Sequence, residues 1–140
     1  MRENFPIILV SIDVKLQENY VLNYIKDNKI LPYYVFRIEP IKNEVSIEQI
    51  RLIKKEIIVY NRERRLFIIY SFDQASDEAQ NALLKTLEEK IDNNQFILLV
   101  SNVNKVILTV QSRSKIVYLK KKQIENNQEI TEYINTLKSA

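Results

Sequence analysis

Glycine, cysteine and histidine are all absent from this chain of 140 residues. Average usage would place about ten glycines in such a length. Ile, Lys and Asn abound, so a genome poor in G and C accounts for the bias itself. The consequence is chemical all the same. A phosphate-cradling loop needs glycines so that backbone amides can approach the anion, and no such loop can be built here. Left-handed turn positions are expected to fall to asparagine, with Asn43, Asn93, Asn94 and Asn104 in plausible turns. Without Cys and His there are no disulfides, thiol nucleophiles, imidazole bases or zinc sites of the usual kind. That pattern fits a reducing cytoplasm. No apolar run approaches the roughly 18 residues that span a bilayer, so no membrane partner is expected. The N-terminal MRENFPIILVSID has too short an apolar segment and too early an acid for a secretory signal.

What is present is ordinary for a globular protein. Hydrophobic residues make up 46% and charged residues 28%, enough for one domain with a real core, with or without a short appendage. The net charge of +3 is too small to argue for a nucleic-acid partner by itself.

Strands are read at Ile7–Ser11, Tyr33–Glu39, Arg65–Ser71, Gln95–Ser101 and Lys115–Leu119, from short apolar and β-branched runs. Helices alternate with them. Lys15–Asp27 repeats apolar residues at 16, 20, 21 and 25. Ser46 and Gln49 form a capping box that opens a helix with an Ile47, Ile50, Ile53 and Ile57 stripe. Ser76 caps another, with Asp77 and Glu78 in the first turn and a stripe of Ala79, Ala82, Leu83 and Leu87. A short helix is expected over 106–110, and a terminal one over 131–138, starting near Ile124. Strands that are apolar throughout mark a parallel sheet covered on both faces. The fold class is therefore three-layer α/β/α with a five-stranded, mainly parallel sheet. Residues 1–120 form this domain, and 121–140 a linker and a terminal helix.

Ligands of such sheets sit beyond the C-terminal strand ends. The places to look are Ser11–Asn19, Tyr70–Asp73, Ser101-Asn102 and the segment leading to Arg113. A phosphate loop, GxxxxGK[ST], would occupy 12–19, where the chain reads Ile-Asp-Val-Lys-Leu-Gln-Glu-Asn. Ile12 and Gln17 stand at the glycine positions and Glu18 at the lysine position, where a carboxylate repels a triphosphate. Lys15 reads as a solvated helix lysine. The third strand should end in acids that hold magnesium, yet Tyr70 and Ser71 are neutral. Asp73 reads as a turn residue bonding local amides, and Ser101-Asn102 as a turn or cap. Arg113, between Ser112 and Ser114, reads on its own as a surface arginine. Its second reading is a guanidinium reaching a neighbouring subunit's phosphate, a contact worth roughly 10³ to 10⁵ in rate.

SIEQIRLIKKE (46–56), DQASDEAQNALLKTLEE (73–89), FILLVSN (96–102) and QSRS (111–114) occur in an order and spacing that resemble bacterial clamp-loader subunits of DNA polymerase III, ATPases of the AAA+ class and their inactive relatives. The similarity runs from about Phe36 to Tyr118. Within the family it points to the delta-prime type. That implies a non-catalytic subunit that binds no nucleotide cofactor and supplies an arginine finger in trans. Arg113 falls on the finger, Ser112 on the serine before it, and Ser114 replaces the usual cysteine. The implied partners are the clamp-loader ATPase subunits, a delta-type subunit and, indirectly, the sliding clamp. The implied location is cytoplasmic and nucleoid-associated. The family's zinc module uses cysteines, so no metal is expected. The family also carries a lid and a collar domain, of which one lid helix is expected here, as a fragment or a reduced protein.

Three rival readings stand beside this one. A hydrolase with a non-standard nucleotide loop lacks the glycines, the lysine and the acids. A DNA-contacting module would use Lys120-Lys121-Lys122 with Arg62, Arg64 and Arg65, but no aromatic stacking platform accompanies them. Weak contact with a DNA backbone inside a complex fits more readily. A diverged AAA+ paralogue could also act as a protein-interaction module.

Overall fold

A computed structural model describes residues 5–59, 62–89 and 93–120. The expected terminal helix, the lid segment and Lys121-Lys122 lie outside the described residues. Five strands form one sheet: β1 (Ile7–Val10), β2 (Val35–Ile38), β3 (Arg65–Ile69), β4 (Asn94–Val100) and β5 (Lys115–Tyr118). Their order is β2-β3-β4-β1-β5. Every pairing is parallel, not merely most of them.

The helices α1 (Val14–Asp27), α2 (Ile47–Ile58), α3 (Asp77–Glu88) and α4 (Leu108–Ser112) complete the layers. Val21 of α1 packs with Leu9, Leu66, Ile68, Ile97 and Leu99 on one face. On the other, α2, α3 and α4 pack on Ile8, Phe67, Ile69, Phe96 and Leu98. Successive strand residues point to opposite layers, so β3 and β4 are buried along their whole length. Phe36, Phe67 and Phe96 stack in a row across neighbouring strands beneath the second layer.

The Ser46–Gln49 capping box forms as expected, with Ile50, Ile53 and Ile57 buried. Ser76 caps α3 by accepting from the Ala79 amide. Four local readings are corrected. Tyr33 and Tyr34 belong to a 3-10 turn opened by Pro32, because the proline's fixed φ suits a helical first position. The expected 106–110 helix is instead a 3-10 turn at Val103–Lys105 followed by α4. The buried side of α3 includes Gln80 and Thr86, while Ala82 and Leu87 are only partly covered. Of the four asparagines, only Asn93 has positive φ; among the described residues Lys29, Lys42 and Ser71 take the other left-handed positions.

Among the described residues no helix is long and apolar enough to cross a membrane.

Candidate functional site

In a parallel sheet of this order, the crevice between β1 and β4 is the switch point where ligands usually sit. Here the side chain of Gln17 bridges it. Asp13 caps α1 by accepting from the Lys15 and Leu16 amides, which satisfies donors of the helix's first turn from within the chain. One turn on, the buried Gln17 points its amide back into the crevice. Its Nε2 lies 3.1, 3.2 and 3.0 Å from the carbonyl oxygens of Leu9, Ser11 and Val100. The amide thus ties the ends of β1 and β4 together from a phosphate-loop glycine position.

Glu18, at the lysine position, accepts from Arg37 Nη1 at 2.7 Å and from the Tyr70 hydroxyl at 3.2 Å. Arg37 also donates to the Tyr70 oxygen. This triad joins α1, β2 and the end of β3 at the C-terminal edge of the sheet. The Arg37 guanidinium is held above its ordinary range. Burial works against its charge, but Tyr70 and Glu18 outweigh that. The Tyr70 phenol is also pushed up, by burial first and by Glu18, against the pull of Arg37.

A raised phenol makes a testable difference. The folded state holds that proton more tightly than the unfolded chain, where tyrosine titrates near about 10. The stability it contributes is full below that pH and is lost as pH rises through the folded value. Tyr20, raised by burial, adds a second such slope. Tyr70→Phe should therefore make the fall in urea-melt stability between about pH 9 and pH 11 shallower without abolishing it. An unchanged slope would remove Tyr70 from the account.

Asp73 departs from its expected role. It is buried and bonds not local amides but the end of β4, accepting from Ser101 N, Ser101 Oγ and Asn102 N at 3.0–3.2 Å. Asn102 Oδ1 accepts from the Asn104 amide, the turn role expected of it. No group of three acidic, His or Cys residues that could hold a metal occurs among the described residues. Lys15 is exposed.

Arg113 is not at this end of the sheet. Because β5 runs parallel to β1 with Lys115 opposite Ile7, the residue before β5 lies at the N-terminal edge. That is roughly 15 Å of strand away from Tyr70 and Ser101. Its side chain is 45% exposed and pairs with Glu88 of α3, Nη2 to Oε1, at 3.0 Å. The backbone there is held on both sides. Arg113 N donates to the Val110 carbonyl, Ser114 N to Gln111 and Lys115 N to Pro6. Ser114 Oγ donates to the Val110 carbonyl at 2.7 Å, and Ser112 Oγ to Thr109. Gln80 secures the approach to α4: its Nε2 donates to Ala75 and Lys105 carbonyls, and its Oε1 accepts from the Ile107 amide.

Two of the three arginines considered for DNA contact are engaged within the fold, while Arg62 is exposed. Arg65 is buried, donating to Asn94 Oδ1 and to the Glu56 and Ile57 carbonyls at the end of α2. Arg64 donates to Asn28. Gln17, Arg37, Gln80 and Glu88 were not legible as site residues. Each acts through a partner distant in sequence or on another element, which no local pattern announces.

A family model described as DNA polymerase III, delta subunit, matches residues 23–123. The DNA polymerase III subunit delta' of Escherichia coli K12 is 30% identical over 89 residues, which are 62% of this chain and 27% of that protein. A DNA polymerase III gamma-subunit-related protein of Thermotoga maritima superposes with a TM-score of 0.76 at 24% identity, over 89% of this chain and 44% of that one. The RuvB Holliday junction branch migration motor of the same organism superposes at 0.59 and 13% identity, over 97% and 44%. The chain thus spans about a quarter of the delta' subunit and under half of either solved structure. These likenesses bear out the AAA+-type fold expected from the sequence.

Proposed function

The chain belongs to the DNA polymerase III delta-subunit family, and on that premise we propose that it is a delta-prime-type, non-catalytic clamp-loader subunit that lends Arg113 to a neighbour's ATP site. The observation that supports this most is the division of labour between the two edges of the sheet. At the C-terminal edge, Gln17 and the Glu18–Arg37–Tyr70 triad occupy the space where a nucleotide would bind. At the opposite edge, Arg113 stands half exposed on a pinned backbone. An arginine so placed is too far from its own chain's crevice to serve it, so any phosphate it meets belongs to another subunit.

The partners on this reading are motor subunits that do hydrolyse ATP, with a delta-type subunit and the sliding clamp in the same assembly. Contact with DNA is limited to the backbone and is sensitive to salt. The cytoplasm and nucleoid are where such an assembly would work. Serine in place of cysteine at 114 suits the role, since its hydroxyl pins the Val110 carbonyl.

Calorimetric titration of the chain with magnesium ATP tests the first half of the reading. No binding heat is expected up to millimolar nucleotide, because Glu18 repels phosphate and Gln17 fills the cradle. Micromolar affinity would contradict it and favour the hydrolase reading.

A further inference from the structure

We propose that Glu88 is a positioning residue for Arg113, holding one edge of the guanidinium so that its remaining donors point away from the chain toward a neighbouring subunit. The inference rests on the finger reading above and adds to it the device that aims the finger.

α3 is held at both ends against the segment that carries Arg113. Near its start, Gln80 bonds the Lys105 carbonyl and the Ile107 amide just before α4. At its last residue, Glu88 reaches the Arg113 side chain just after α4. The next residue, the C-cap Glu89, diverges from it and turns to Lys54 of α2 at 3.3 Å, leaving Glu88 to Arg113. The backbone of Arg113 is already fixed by three neighbouring amide bonds, so its side-chain torsions are the freedom left to restrain.

The contact is made through Nη2. A guanidinium has five N–H donors in a planar fork, and a single-point contact leaves most of them open to a second acceptor. Glu88 can therefore keep its bond while Arg113 binds a phosphate. Ordering such a side chain in advance removes part of the cost of immobilising it on binding. With both side chains 45% exposed, the pair adds little to stability. Its value lies in aim.

The test uses the full chain assembled with its cognate motor subunits, reading ATP turnover and melting temperature together. Glu88→Ala should lower turnover roughly three- to tenfold while assembly and melting temperature stay within error. Glu88→Gln, whose amide oxygen can accept the same bond, should recover most of that loss. In an Arg113→Ala background, Glu88→Ala should have no further effect. If Arg113→Ala lowers turnover but Glu88→Ala does not, the positioning role is overturned and the finger stands. If both Glu88 variants raise turnover, the carboxylate restrains the arginine, and the proposal is wrong in sign. If Arg113→Ala itself changes nothing, the finger reading falls and this inference with it.

Discussion

Arg113→Ala is expected to lower ATP turnover at the motor site this chain serves by about 10³-fold, the lower end of what a finger in trans contributes. The loss should appear in turnover and not in assembly. Arg113 is half exposed and its ion pair with Glu88 is equally exposed, so removing it costs the chain about 1 kcal/mol or less. The backbone bonds that hold this corner come from amides and from Ser114, and all of them survive the substitution. Arg113→Lys sharpens the test. Lysine keeps the charge but not the planar fork that can span two phosphate oxygens, so it should restore little. Turnover unchanged in both variants, in a complex that still assembles, would remove Arg113 from the chemistry. An alanine variant fully rescued by lysine would reduce its role to bulk charge.

Arg65→Met is expected to destabilise the domain by about 3 kcal/mol, lowering its melting temperature by about 10 °C. Methionine matches much of the stem but supplies none of the donors. The Glu56 and Ile57 carbonyls at the end of α2 and the Asn94 side chain would lose the bonds that Arg65 donates. Thermal melts read the effect directly. The same variant separates two readings of the 62–65 arginines. As a structural residue, Arg65 should change stability and leave the salt dependence of any DNA contact alone. A stable variant with a shallower salt dependence would make it a phosphate contact instead.

The fold was legible in the sequence because its signals are local. The Ser46–Gln49 box, the Ser76 cap and the isoleucine stripe of α2 each lie within a few residues, and each forms as read. The apolar runs of β3 and β4 announced burial on both faces. Local signals failed where two of them competed. Pro32 won Tyr33 and Tyr34 for a turn despite their preference for strands. Left-handed positions went to two lysines and a serine because loop geometry, not residue preference, set φ there.

The candidate site divides in the same way. What the chain lacks at 12–19 and 70–71 could be read directly, since a missing glycine or acid is a local fact. What replaces it could not. Gln17 reaches Val100, Glu18 reaches Arg37 and Tyr70, and Asp73 reaches Ser101. Each pairing depends on the parallel register that brings distant strand ends together. The edge on which Arg113 sits follows from the direction of β5, which no stretch of residues declares alone.

The most direct measurement is ATP turnover by the cognate motor subunit, at saturating ATP, as this chain is titrated in. If the chain completes a neighbour's site, turnover rises with the added chain and saturates at a fixed stoichiometry. The Arg113→Ala chain would compete for the same place and give no rise. Equal stimulation by both chains, or none by either once both are shown to bind, would contradict the account.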